Sequence, residues 1–106
     1  MFLLSGILRA ETQEKILLYL MVRQAGYGKA IAEFFSLSTN SVQKQLARLE
    51  QDSVVVSHVV GRKREYRLNP DYVFYEPLRE LLIAALEQYP EEIVIGLAAP
   101  RAQTAA

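Results

Sequence analysis

The sequence predicts a mainly α-helical domain with a small β-hairpin. Apolar residues recur every three or four positions over residues 11–23, 29–35 and 39–51, which is the spacing of one buried helical face. The period then shortens to two over residues 54–68, as expected for two paired strands. A last apolar stripe returns to helical spacing over residues 76–89.

Composition narrows the classes of protein to which the chain can belong. The chain has 106 residues, of which 51% are hydrophobic, and no cysteine. We therefore expect one modest core, and we exclude disulfides and zinc–thiolate sites. The N-terminal apolar run has no basic residue before it, and no stretch approaches the ~18 apolar residues of a membrane span. We expect a cytoplasmic protein without a membrane segment.

Charge is distributed unevenly, although the formal net charge is zero. Residues 1–28 carry a net charge of +1, residues 29–68 carry +3 and residues 69–106 carry −4. A basic middle segment is expected where an interaction surface is confined to one part of the chain.

The first helix, residues 11–23, has acidic residues near its start, where the positive end of the helix dipole favours them. Its apolar face consists of Ile16, Leu17, Leu20 and Met21. A GYG turn follows, in which Tyr27 is suited to a very short extended bridge. The second helix, residues 29–35, has Ile31, Ala32 and Phe35 as its buried face.

The third helix, residues 39–51, begins after a tight connection formed by Ser36 and Leu37. Ser38 is placed as its N-cap, because the serine hydroxyl can accept an early backbone N–H. The buried face of this helix consists of Val42, Leu46 and Leu49.

The hairpin, residues 54–68, combines a valine-rich segment with the alternating segment REYRL. Valine favours strands, and Gly61 between the two segments provides the turn. The predicted boundaries of the last helix are residues 76 and 89, with Pro77 in the first turn, where its missing N–H costs nothing.

Residues 91–106 are expected to be a flexible tail outside a domain of residues 1–90. Within this tail, EEIVIGL suits either a stray strand or packing against the domain.

The second and third helices meet the spacing requirements of a helix-turn-helix unit. A small residue is needed where the helices cross, an apolar residue must fill the turn, and another must follow early in the next helix. Ala32, Leu37 and Val42 occupy these positions. The hairpin then takes the place of a wing.

Residues 11–86 resemble the winged helix-turn-helix regulators of the ArsR/MarR type. The segments that carry the resemblance are AIAEFFSLSTNSVQKQLARLEQDSVV and GRKREYRLNP. The segment NPDYVFYEPLRELLIAAL looks closest to small winged-helix domains often joined to a nucleotidyltransferase domain. The tail has no Gly-Ser active-site signature, so we expect no nucleotidyl transfer. With no cysteine, one histidine and no paired carboxylates at a pocket-forming spacing, we expect no enzymatic activity.

Two positions depart from that family pattern. Ser36 stands where the family favours glycine in a left-handed conformation, which serine tolerates less well. Asp52 and Ser53 stand where a small Ala-Gly pair precedes the first wing strand. Both changes are expected to carry local costs while leaving the helix pattern intact.

The resemblance implies that the third helix enters the major groove of double-stranded DNA and that the wing follows the phosphates. The residue types suit this role, since Asn and Gln pair with adenine and Lys or Arg with guanine. The candidate DNA-binding residues are Thr39, Asn40, Ser41, Gln43, Lys44 and Arg48 on the helix, with Arg62, Lys63 and Arg64 on the wing. A merely solvated helix face and a solubilising loop are the alternatives.

The resemblance also implies a homodimer built from terminal helices, with the last helix as the dimerisation helix. The candidate interface residues are Ile16, Leu20, Leu78, Leu81, Leu82, Ala85, Leu86 and Tyr89. The alternative is that this apolar stripe packs only within one chain.

No cofactor or metal is predicted, because the one histidine, His58, has no cysteine or second histidine beside it. The leading hypothesis is a homodimeric DNA-binding transcriptional regulator whose effector the sequence does not name. The alternative hypothesis is a winged-helix protein-interaction module that is accessory to a separately encoded enzyme.

Overall fold

The computed structural model describes Leu3, Leu8 and residues 10–99. In chain order the elements are α1 (Glu11–Arg23), β1 (Gly26–Tyr27), α2 (Gly28–Phe35), α3 (Thr39–Gln51), β2 (Val55–Val60), β3 (Lys63–Leu68), α4 (Tyr75–Leu86) and α5 (Glu91–Ala98). The predicted bounds of α1 and α3 are confirmed. Helix α2 begins one residue before its predicted start, because Tyr27 is already extended and Gly28 is helical.

Helix α1 lies at the centre of the core. Its residues 16–20 are consecutively buried, although a surface helix buries only one face. The reason is that α1 packs against α3, α4, α5 and β3 as well as α2. Burying each large apolar side chain contributes roughly 1.5–3 kcal/mol to the stability of the fold. This helix is therefore the main contributor to the stability of the core.

The turn between α2 and α3 is a Schellman motif. Ser36 has left-handed backbone angles, with φ 56° and ψ 45°. The Leu37 N–H donates to the Ala32 carbonyl at 2.8 Å, and the Ser36 N–H donates to the Glu33 carbonyl at 3.3 Å. These two bonds satisfy carbonyls that the end of α2 would otherwise leave unpaired. Left-handed serine at the position where glycine is favoured is therefore confirmed.

Helix α3 begins and ends as its flanking residues predict. The Ser38 hydroxyl accepts the Ser41 N–H at 3.0 Å, which confirms the predicted N-cap. After the helix, Ser53 is also left-handed, with φ 64°. The Val54 N–H then donates to the Leu49 carbonyl at 2.9 Å, which repeats the termination seen at α2.

The sheet has three antiparallel strands in the order β1-β3-β2. In the hairpin, β2 and β3 pair from Val55 opposite Leu68 to Val60 opposite Lys63. The predicted bridge at Tyr27 is confirmed, since it pairs with Glu65. The hairpin is therefore a wing beside the helix-turn-helix, and the predicted winged helix-turn-helix fold is confirmed.

The expectation of a flexible tail is wrong for its first part. Residues Glu91–Ala98 form α5, and Leu97 is buried in the core. The β-branched residues suggested a strand, but Pro90 followed by two acidic residues suits a helix start, and packing against α1 overrides the strand propensity. Residues 100–106 of the predicted tail lie outside the described residues.

Arg23 holds α5 against α1. Its guanidinium group donates to the Gly96 carbonyl at 2.9 Å and to the Leu97 carbonyl at 3.1 Å. The same group stacks 5.1 Å from the Tyr19 ring centroid and 5.5 Å from that of Phe34. A cation near the end of a helix also interacts favourably with its dipole, so α5 is fixed by charge as well as by apolar packing.

Helix α4 ends at Leu86, three residues before its predicted end, and the chain turns so that Tyr89 enters the core. There the Tyr89 hydroxyl donates to the carboxylate of Glu14, which is fully buried and also accepts the Leu3 N–H at 3.1 Å. Burial and the hydrogen bond to Glu14 raise the pKa of Tyr89. The end of α4 is therefore tied to α1 by a polar contact within the core.

This packing corrects part of the predicted dimer interface. The predicted residues that lie in the core of the chain itself are Ile16, Leu20, Leu82, Ala85 and Tyr89. They are enclosed within the chain because α4 packs its inner face on α1. The half-buried residues Leu78, Leu81 and Leu86 keep part of their surface available.

None of the helices in the described part of the chain has the length and apolar character needed to cross a membrane.

We expect Ser36→Gly to raise the free energy of unfolding by roughly 0.5–1 kcal/mol, because glycine adopts left-handed angles without the steric cost that serine bears. Chemical denaturation measures this change. Ala47→Gly is the control, since it places glycine inside α3, where it should lower stability by about 1 kcal/mol. A loss of stability in both variants would contradict the predicted strain at Ser36.

Candidate nucleic-acid interface

All the candidate DNA-binding residues of α3 lie on its outward face. Thr39, Asn40, Ser41, Gln43, Lys44 and Arg48 are all exposed. The opposite face of the helix is buried through Val42, Leu46 and Leu49. The stretch from residue 39 to residue 48 contains no acidic residue, so the exposed surface presents hydrogen-bonding groups and positive charge.

The wing tip presents the second group of nominated residues. Gly61 makes the turn with φ 65°, and Arg62, Lys63 and Arg64 follow it on the surface. Three adjacent cations repel one another, so they favour a polyanionic partner. The tip is therefore the most cationic run of the chain.

A cleft of about 530 Å³ separates the start of α2 from the wing. Its lining consists of Tyr27, Gly28, Lys29, Ala30, Glu33, Gln43, Arg62, Lys63, Arg64 and Tyr66. Glu33 is the one acidic residue in this lining. The cleft brings Gln43 together with the wing cations, whereas the other nominated residues of α3 lie outside it.

Lys63 is held at the cleft by Tyr27. Its ammonium group lies 5.4 Å from the Tyr27 ring centroid, a distance at which a cation is attracted by the aromatic face. Because β1 pairs with β3 beside Lys63, the short strand fixes this tyrosine against the wing. The sequence indicated Tyr27 as a bridge residue and did not indicate this second role.

Arg64 differs from its two neighbours on the wing. Its guanidinium donates to the Ser57 hydroxyl at 3.1 Å, and that hydroxyl donates to the Glu50 carboxylate at 2.6 Å. Glu50 lies in the last turn of α3, so the chain of bonds joins the wing to the helix. Arg64 is therefore oriented toward α3, in addition to being exposed.

Sequence reasoning missed Ser57 and Glu50, although the strand alternation contains a signal for them. Arg64 shares its side of β3 with the buried Tyr66 and Leu68, and Ser57 shares its side of β2 with the buried Val55. Two polar residues on the core-facing side of a hairpin are expected to find polar partners. Burial and the nearby Glu50 carboxylate raise the pKa of Tyr66 in the same region.

The outer face of the wing holds His58, the one histidine. Its Nε2 lies 3.4 Å from a carboxylate oxygen of Glu65, and an Arg67 nitrogen lies 3.3 Å from the same oxygen. Among the residues that the structure describes, no three His, Cys, Asp or Glu side chains form a group that could hold a metal ion.

Several solved structures are similar to the chain in fold. A variant of ZitR from Lactococcus lactis has a TM-score of 0.61 and 24% identity, over 74% of this chain and 53% of that chain. The adhesin competence repressor AdcR from Streptococcus pyogenes has a TM-score of 0.59 and 16% identity, over 80% of this chain and 71% of that chain. A ZitR variant in complex with DNA has a TM-score of 0.53 and 23% identity, over 79% of this chain and 65% of that chain.

At these identities the similarity shows a shared fold. The chain spans about half the length of the first of these ZitR structures. No family model matches the chain, and no curated protein matches it.

We expect Ser57→Ala to loosen the wing, because it removes the hydroxyl that joins Arg64 to Glu50. The loss of hydrogen bonds to charged groups should lower the free energy of local opening of the wing by about 1 kcal/mol or more. Amide hydrogen exchange at residues 59–64 should become faster than in the unchanged protein.

His58→Ala is the matched control, because it alters the neighbouring residue on the outer face of β2 and leaves the contact with α3 in place. Equal exchange at the wing tip in both variants would show that the bonds of Ser57 do not restrain the wing.

Proposed function

We propose that the chain is a cytoplasmic DNA-binding regulator of transcription without enzymatic activity, similar to regulators of the ArsR/MarR type. The observation that carries this proposal is the placement of an exposed polar helix beside a cationic wing. Gln43 of the helix and the three wing cations line one cleft, in which cations outnumber acids. The fold shared with a protein whose structure contains DNA is consistent with it. A link to a nucleotidyltransferase domain stays a prediction.

In this proposal α3 lies in the major groove, which is wide enough to admit an α-helix. Asn40 and Gln43 have the amide groups that pair with adenine, and Lys44 and Arg48 have the donors that pair with guanine. Thr39 and Ser41 lie in the first turn, where hydroxyl and backbone N–H groups suit phosphate contacts. Base recognition would come from α3.

Affinity would come chiefly from the wing. Arg62 and Lys63 are exposed, and neither has an ion pair with the described residues. The contact of Lys63 with the Tyr27 ring leaves its charge unpaired, so both cations are available to phosphates. Neutralising phosphates with cations releases counterions from DNA, which makes binding salt-dependent. Arg64 would contribute less as a free cation, because Ser57 already accepts a hydrogen bond from it.

We expect Arg62→Ala combined with Lys63→Ala to weaken binding to random duplex DNA roughly tenfold and to reduce the salt slope by about 2, since two phosphate contacts are lost. Fluorescence anisotropy over a range of salt concentrations measures both quantities.

The charge-matched control combines Arg67→Ala with Arg79→Ala. Both residues are exposed and line a separate pocket near the start of α4. If the two double variants bind duplex DNA equally well, the proposed interface is wrong.

We also propose a homodimer formed through the outer surface of α4. Leu78, Leu81 and Leu86 are half-buried there, and Ile83 is 38% exposed. Two copies joined through this surface would present two α3 helices to neighbouring half-sites on DNA.

We expect Ile83→Glu to weaken self-association at least tenfold, because a charge would be buried at the interface without a partner. Sedimentation equilibrium at micromolar concentration measures the association constant. Val59→Glu is the control, since Val59 is an exposed apolar residue on the wing. A protein that is monomeric without any substitution would overturn the dimer.

One observation favours the alternative of a protein-interaction module. Val73 and Phe74, in the connection before α4, are 79% and 59% exposed, and exposed apolar groups mark interaction surfaces. Failure of the unchanged protein to bind duplex DNA at low salt would support this alternative over the regulator.

A further inference from the structure

Gly28 and Gln43 make the closest approach between α2 and α3 at the cleft. Gly28 is the first residue of α2 and is buried, whereas Gln43 is exposed on α3. A Cβ atom added to Gly28 would lie 2.5 Å from the Gln43 Nε2, 3.0 Å from its Cδ and 3.3 Å from its Oε1. The amide group of Gln43 thus occupies the space that any other side chain at position 28 would take.

Only the end of one flexible side chain limits that space. The three nearest atoms to the added Cβ all belong to the amide of Gln43, and none is a backbone atom. A methyl group at position 28 would therefore displace the amide while leaving the crossing of α2 and α3 in place. Gly28 is helical, so alanine suits its backbone and should preserve or slightly raise stability.

We infer that Gly28 is a specificity-determining residue that acts through Gln43. Its missing side chain lets the Gln43 amide lie on α2, inside the cleft that also contains Arg62 and Lys63. Pairing of an amide with adenine requires a defined position and plane of its oxygen and nitrogen. Gly28 does not touch DNA in this arrangement, and its effect is to position the group that does.

This inference rests on the proposed function, because Gln43 must read a base for its position to matter. It assigns to Gly28 a role separate from the turn that the GYG sequence predicts. A residue required only for the fold would change stability when replaced. A positioning residue should change base preference at constant stability.

The experiment is selection of bound sequences from a random duplex pool, followed by affinity measurements on single-base variants of the selected site. It compares the unchanged protein with Gly28→Ala, with Gln43→Ala and with both substitutions together. We expect Gly28→Ala to change relative affinity roughly fivefold or more at the base pair that also responds to Gln43→Ala, since a bidentate contact discriminates by 1–3 kcal/mol. The double variant should match Gln43→Ala alone.

Lys29→Ala is the control within the same cleft, because it removes a neighbouring cation and should leave base preference unchanged. The melting temperature of Gly28→Ala should equal or exceed that of the unchanged protein. The side-chain amide resonances of Gln43 should shift in Gly28→Ala without DNA, which reports the displacement directly.

The outcomes separate this inference from the proposed function. An unchanged protein that selects no sequence would overturn base reading by α3, and the inference with it. A clear preference that Gly28→Ala leaves unaltered, or alters at base pairs indifferent to Gln43→Ala, would overturn the inference alone.

Discussion

The reversal of the chain at Ser36 sets the angle between α2 and α3, and the rest of the structure depends on that angle. The left-handed serine lets the Leu37 N–H reach back to the Ala32 carbonyl, which directs α3 across α2 where Ala32 is small enough to permit contact. Val42 then enters the core against α1. A different angle would withdraw Val42 and Leu46 from the core and turn the polar face of α3 away from the wing.

Local patterns were sufficient to predict most of this fold. The apolar spacing of α1 and α3, the cap at Ser38 and the valine-rich hairpin each depend on neighbouring residues, so the sequence contained the necessary information. Helix α5 was missed because its packing against α1 overrides the strand propensity of its β-branched residues. That packing includes the bond from Arg23, which is 74 positions away from Leu97 along the chain. The same limit explains the dimer residues, since the enclosure of Leu82 and Tyr89 depends on how several helices pack around α1.

The sequence was sufficient to predict which residues lie on the candidate interface, but not how their side chains are oriented. Exposure of the nominated residues follows from the helical and strand periods. The direction of Arg64 depends on contacts across the sheet with Ser57 and Glu50, and the position of Gln43 depends on the empty space at Gly28. Such details arise from pairs of elements that meet only after folding.

The distribution of charge acquires a spatial meaning in the folded chain. The surface acidic residues of α4, of α5 and of the connection between them are Glu76, Glu80, Glu87, Glu91 and Glu92. The cations of the wing instead border the cleft beside α3. A molecule with a positive region and a separate negative region orients in the field of a polyanion before contact. The zero net charge thus conceals a dipolar surface suited to approach in one orientation.

The bonds from Glu50 through Ser57 to Arg64 have a thermodynamic consequence for any partner of this face. They connect the last turn of α3 to the wing, so the two surfaces approach a ligand as one body. Ordering a loose loop during association costs free energy for each side chain that becomes fixed. Because these bonds already hold the Arg64 side chain toward α3 in the free protein, less conformational entropy is lost at that side chain when the wing and α3 are bound together.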